Sequence, residues 1–347
     1  MNVRVPFAAL VALLLTGGNV GAAPFSNLYT FGDSLSDVGS NPSAVMSLYD
    51  TLANNCDPAH PCTPFGDYVG GRISNGSVAT EYLAGALFPG AASIANFHSY
   101  AVAGATSGVG NFGDGGSATK EGDLLPIPVP GIFPLPGMKG EVEKYMKGIG
   151  STGGQADPNA LFFVWGGAND YLTHDSPVLA ARNIAGYVSE LAGAGARHFL
   201  VPNLADLSST PYVSDQGETE KSNAQMFSLV FNEELENQLG SVSSQFPDAN
   251  IFQFDTYTFV NGVIANPSDP HYQLTDVQNA CLTSEPCANP DSFLYWDDFH
   301  PTTRGHSILG AAFASAVPEP EMLAMFVAGL FVLSIAGNRR RKLAHAV

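Results

Sequence analysis

A serine, a glycine, an asparagine, an aspartate and a histidine, scattered along 347 residues, have the types that acyl transfer requires. Ser34 ends the apolar run of "LYTFGDSLSDVGS", Gly104 lies in "AVAGATSG", and Asn169 in "FVWGGANDYL". Asp297 and His300 stand three apart in "YWDDFHPTTRGH". A serine hydroxyl is a weak nucleophile at neutral pH and needs a base within hydrogen-bond reach. Histidine suits, because its ordinary pKa is about 6.5. The second ring nitrogen needs an acceptor to fix its tautomer; Asp297 can supply it, and Asp298 fits the spacing equally. The negative oxygen of a tetrahedral intermediate needs preorganised donors. The backbone N–H groups of Ser34 and Gly104 and the Asn169 amide would provide three. Gly104 would also avoid crowding the acyl group. Each residue has a plainer reading. Ser34, Asp33 or Asp37 can cap a helix, Asn169 can form a turn, and Asp297 with His300 can be a surface pair. The set as a whole favours catalysis.

These residues need elements to hold them. Short apolar runs predict strands over Asn27–Phe31, Ala95–Val102, Ala160–Trp165, Arg197–Val201 and Asn250–Asp255. Helical patterns cover Ser77–Leu87, Lys139–Ile149, Val178–Ala192, Ser222–Val242 and Thr303–Ala314. Alternation of this kind predicts an α/β fold, a parallel sheet covered on both faces by right-handed crossovers. Sites in such sheets form beyond the carboxyl ends of the strands, where the polar residues above fall.

The usual serine elbow G-x-S-x-G is absent, since "GDSLS" fails at its last position. A nucleophile near the start and Asp-x-x-His near the end make a different layout. With "FGDSLSDVG", "GRISNG", "NFHSYAVAGATSG", "VWGGANDYL", "GARHFLVPNLADL" and "WDDFHPTTRGH" in order, the chain resembles the GDSL family of the SGNH hydrolase superfamily. The resemblance implies a three-layer α/β/α sandwich with a flavodoxin-like parallel sheet of about five strands. It also implies ester hydrolysis with no metal and no cofactor. By the same resemblance Ser34 is the nucleophile, Gly104 and Asn169 belong to the oxyanion hole, and His300 is the base held by Asp297. The substrate would be an acyl-ester small molecule or lipid. Acyl transfer, polysaccharide deacetylation and a catalytically silent surface-binding protein are the alternatives. "GRISNG" matches a family motif in which Arg72 and Asn75 have no role derivable from spacing; Arg72 can simply pin a loop.

Fourteen basic against 32 acidic residues give a net charge of −18, which excludes nucleic acid as a partner because phosphate binding needs clustered Lys and Arg. Both ends read as addresses. Arg4, the apolar run Val5–Leu15 and the small residues "TGGNVGAA" fit a signal peptide over 1–23, to be cut by signal peptidase. At the other end Pro318-Glu319-Pro320 precedes an uncharged stretch to Gly337 and the basic cluster Arg339 to Lys342. That order resembles the PEP-CTERM sorting signal, which implies an exosortase-type processing enzyme and a C-terminal membrane anchor, transient or permanent. The expected division is 1–23 signal peptide, 24–316 hydrolase body and 317–347 sorting segment. The expected location is the periplasm, cell surface or extracellular matrix of a Gram-negative bacterium.

Four cysteines in an exported chain read first as disulfides, and the two short loops Cys56–Cys62 and Cys281–Cys287 are the preferred pairing of three possible. Neither has the CxxC spacing of zinc or thioredoxin-like sites. His60, His98, His174, His198 and His271 match no ligand pattern, and His306 reads as structural. Residues 108–137, rich in Gly and then Pro, read as an extended loop packed on the body, with an acyl-chain lid as the second reading. Asp114, Glu121 and Asp123 match no EF-hand spacing.

Overall fold

The computed structural model describes residues 25–39, 68–123 apart from 89 and 91, 134–151, 153–283 and 286–317. The expected signal peptide, the Cys56–Cys62 bridge, the Pro318-Glu319-Pro320 motif and its anchor lie outside the described residues, as does 124–133 of the Gly- and Pro-rich segment.

Five strands form one parallel sheet: β1 (Leu28–Gly32), β2 (Phe97–Ser99), β3 (Leu161–Trp165), β4 (His198–Pro202) and β5 (Asn250–Phe254). Their spatial order is β2-β1-β3-β4-β5, the flavodoxin-like arrangement. Leu28 pairs with Leu161 and Gly32 with Trp165, so β1 and β3 end level. Side chains along a strand alternate faces, and here every second residue is apolar on both. Phe31, Phe162, Val164, Phe199 and Val201 pack on one face against α2 (Met138–Ser151), α4 (Pro177–Gly193) and α5 (Glu218–Gln245). Leu28, Leu161, Phe163, Trp165 and Leu200 pack on the other against α1 (Ala79–Leu87), α6 (Thr256–Ala265) and α7 (Thr303–Ala316). The three-layer sandwich is therefore written into the strands themselves.

Helix starts follow side-chain capping. Ser176 accepts from Leu179 N–H ahead of Pro177, and Thr302 accepts from Gly305 N–H to open α7. The short helix α3 (Ala168–Leu172) follows directly on β3.

Most element ends shift by a few residues from expectation, and three differences bear on the fold. The strand expected over Ala95–Val102 is shorter, because Ala92–Ala95 forms one helical turn and regular pairing stops at Ser99. The strand expected to reach Asp255 ends at Phe254, since Asp255 accepts from Thr258 N–H and caps α6 instead. A second sheet, parallel β6 (Asp276–Ala280) with β7 (Phe293–Tyr295), was not expected. The disulfide Cys281–Cys287 forms, as preferred from spacing, just beyond β6.

Candidate active site

The loop after β1 must turn sharply, because Gly32 lies against β3: a Cβ there would meet the Trp165 carbonyl oxygen at 2.1 Å. Asp33 then closes a helical turn. Its carbonyl accepts from Ser36 and Asp37 N–H, and its carboxylate from Leu35 N–H at 3.0 Å. Ser34, 7% exposed, is left pointing at the loop ahead of α7. Its Oγ lies 2.8 Å from His300 Nε2.

His300 is held from behind. Its Nδ1 lies 2.8 and 2.9 Å from the two carboxylate oxygens of Asp297, and its backbone N–H donates to Asp297 Oδ1 at 2.7 Å. Phe299 N–H reaches the same oxygen at 2.9 Å. Asp298 makes no such contact; its carbonyl accepts from Tyr212 N–H. Geometry thus separates two aspartates that spacing left equal. Burial penalises the Asp297 carboxylate, but the facing imidazole and its hydrogen bonds outweigh that and hold it down at about 2. Burial likewise pulls His300 down, yet the charge and hydrogen bond of Asp297, with the charge of Asp33, carry it above its ordinary value. The two shifts agree: the pair favours imidazolium beside carboxylate.

Gly104 and Asn169 border the same cavity as Ser34 and His300. Gly104 has a φ of +80°, and a Cβ there would lie 2.4 Å from Asn111 Oδ1. The reason for glycine is therefore the left-handed turn and the Asn111 carboxamide packed on it, not only room for an acyl group. Asn111 accepts from Gly113 N–H and donates to the Ala103 and Pro136 carbonyls, fastening the loop. Asn169 Nδ2 donates to the Ala105 carbonyl at 2.9 Å, which fixes the amide beside Gly104 and leaves its second N–H available.

Buried carboxyl groups tie these strand-end loops together. Glu141 of α2 accepts from Gly32 N–H at 2.8 Å and Val102 N–H at 3.1 Å. Asp37 accepts from Gly39 and Ala103 N–H, each at 2.8 Å. Asp170 accepts from the backbone and hydroxyl of Ser107 at 2.8 and 2.6 Å. Burial pushes Asp37 and Asp170 up to about 7 and Asp33 to about 6, and raises Glu141 well above its ordinary value. Asp37 is therefore a brace for the Gly104 loop as well as a turn former.

The sequence reading also missed Tyr68, whose hydroxyl donates to Asp297 Oδ2 at 2.7 Å. Arg72 explains its placement. The guanidinium forks onto both oxygens of Glu81 at 2.7 Å and reaches the Val69 and Gly70 carbonyls, pinning the turn that follows Tyr68. Asn75 accepts from Thr303 N–H, joining that turn to the start of α7. His306 is buried and accepts from Ala79 N–H through Nδ1, a structural role. Asp114 accepts from Leu135 N–H and Asp123 pairs with Lys120, so neither is arranged as a ligand. Among the described residues no three His, Cys, Asp or Glu side chains converge on a metal-sized site, and no helix there is long and apolar enough to cross a membrane.

A sheet of this order with Ser34 and His300 across one cleft defines a class, and residues 28–313 match the GDSL-like Lipase/Acylhydrolase family. The chain belongs to that family. A protein of Pseudomonas putida encoded between trpE and trpG is 28% identical over 332 residues, which cover 90% of this chain and 52% of that protein. The chain thus spans about half the length of that relative. Acetylajmalan esterase 2 of Rauvolfia serpentina is 24% identical over 350 residues, 87% of this chain and 93% of the plant protein. A solved lipolytic G-D-S-L family protein from Veillonella parvula superposes with a TM-score of 0.36 at 14% identity, covering 82% of this chain and 94% of that one.

Proposed function

We propose that the chain is an exported carboxylester hydrolase that works through Ser34, His300 and Asp297 by way of an acyl-enzyme. The observation that carries the reading is the unbroken line from Ser34 Oγ through His300 to Asp297, with links of 2.8 Å on either side of the ring. Asp297 holds the proton on Nδ1, so Nε2 is left as the acceptor for the serine proton. As Oγ bonds to the ester carbon, that proton moves to Nε2 and the carbonyl oxygen becomes an oxyanion. Ser34 and Gly104 N–H with the second Asn169 amide proton are the donors assigned to it. When the tetrahedral species collapses, the bond to the alcohol breaks and Nε2–H protonates the departing oxygen. Water then repeats the sequence on the acyl-serine, losing its proton to Nε2 and releasing the carboxylic acid and free Ser34.

Residues 24–316 would form the catalytic body, a division supported by the family match over 28–313. Residues 1–23 and 317–347 would serve export and sorting by a signal peptidase and an exosortase-type enzyme, and mass spectrometry of the protein recovered from its host tests both cuts. For catalysis the test is Ser34→Ala assayed on p-nitrophenyl butyrate. Loss of at least roughly a thousandfold in kcat/KM with an unchanged circular dichroism spectrum is expected. A folded variant that keeps the wild-type rate refutes the esterase.

A further inference from the structure

The cavity at Ser34 runs on into an apolar part, which forms its arm. Its volume is about 310 Å³, and its lining continues from Ser34 and Trp165 to Val260 and Val263 of α6, Leu294 of β7 and Ile308 of α7. Those four far residues are only 2–8% exposed; Val263, Leu294 and Ile308 pack into one apolar cluster, and all four also border the cavity that opens at the catalytic serine. Interior side chains ordinarily interdigitate with few voids larger than a water molecule. A void kept open among valines, leucine and isoleucine holds water poorly, because water needs two to four polar partners. The arm therefore suits an apolar guest that enters past Ser34.

The order of bond changes selects which half of an ester that guest is. The alcohol must leave after His300 protonates it, so a chain threaded among these apolar side chains would have to withdraw before water could enter. The acyl half stays bonded to Ser34 through both steps. Acetyl alone would leave the arm empty, and a sugar would find few hydrogen-bond partners among these side chains. We propose that the arm between α6 and α7 is the acyl-chain subsite, and that Val260, Val263 and Ile308 limit the length of the straight acyl chain accepted. The proposal rests on the esterase reading and deepens it, moving the acyl wall from the Gly- and Pro-rich segment to the buried face of two helices.

The test compares p-nitrophenyl acetate, octanoate and palmitate on wild type, Val260→Phe and Ile308→Phe, with folding followed by circular dichroism and thermal melting. Octanoate should be the preferred ester of wild type. Either phenylalanine, filling the arm, should lower kcat/KM for octanoate about tenfold or more while acetate changes less than about twofold. A folded variant with an unchanged octanoate-to-acetate ratio overturns the proposal. Calorimetric titration of wild type and both variants with sodium octanoate reads the arm without turnover. Saturable binding with a negative heat-capacity change, weakened by the added rings, is expected; no binding to wild type, or binding that the rings leave untouched, also overturns it. A wild type that cleaves no ester would sink the esterase reading, and the titration would still judge the arm.

Discussion

Tyr68 and Asp297 meet through a 2.7 Å hydrogen bond on the carboxylate oxygen that His300 shares least with the backbone. The phenol comes from the turn pinned by Arg72 and Glu81, so a segment far from the histidine loop takes part in orienting it. Tyr68→Phe deletes the donor and keeps the ring. A hydrogen bond to a charged group contributes about 1.5–3 kcal/mol, so kcat should fall about tenfold or more with KM little changed. Unaltered kcat would show that the backbone N–H groups of Phe299 and His300 suffice.

Asp297→Asn should lower kcat/KM by roughly a thousandfold or more, because an amide facing Nδ1 no longer enforces the productive tautomer. Asp298→Asn, with no contact to the ring, should cost less than about tenfold. Steady-state kinetics on one ester compares them, and the reverse ranking would reassign the third member of the site.

In the proposed mechanism the same pair should set the acid limb of the pH profile. His300 must be neutral to accept the serine proton, and its pKa is raised. Activity should therefore rise with pH through a midpoint above the ordinary imidazole value of about 6.5. In the residual activity of Asp297→Asn the midpoint should move to lower pH. A limb that stays in place would mean that another group titrates there.

Stability should run the other way. Asp33, Asp37 and Asp170 have folded pKa values raised to about 6, 7 and 7 by burial. Between about pH 4 and 7 the folded state then holds protons that the unfolded chain has lost, so raising pH lowers stability. Asp297, depressed to about 2, adds stability that disappears only as pH falls from about 4 towards 2. The melting temperature should be higher near pH 5 than near pH 8. Neutral burial of His306, lowered to about 3, works in the opposite direction below about pH 6.5. A flat or rising curve would therefore mean either that these carboxyls are ionised in the folded state or that His306 outweighs them.

Glu141 offers a sharper test of the same braces. Removing its carboxyl in Glu141→Ala takes the side-chain acceptor from Gly32 N–H and leaves Val102 N–H only its 3.2 Å bond to the Gly32 carbonyl, at a cost of roughly 1–3 kcal/mol. Glu141→Gln, which keeps one acceptor and the volume, should lose less. Urea unfolding of the two variants checks the order.

Much of this was legible in the chain. Leu161 to Trp165 reads as a buried strand because every residue is apolar, and Ser34, Asn169 and His300 announce themselves by following such strands or by standing three from an aspartate. Glu141, Asn111 and Tyr68 carry no such mark. Their partners are backbone groups or a carboxylate on other segments, 109 residues away for Gly32 and 229 for Asp297, and spacing along the chain says nothing of them. β6 was missed because "DVQNA" has no apolar alternation, and α6 because "TYTFVNGVIA" is rich in β-branched and aromatic residues that favour strands. Tertiary packing of Val260 and Val263 decided the second case.

Ser34 and His300, the proposed nucleophile and base, stand 266 positions apart. A ribosome therefore delivers Ser34 long before His300, and every nascent chain that stops short of His300 carries the serine without the imidazole. For the proposed esterase, turnover then becomes a clock for folding: ester cleavage should begin only once the helix that follows His300 has docked, so the growing polypeptide carries an inert serine until then.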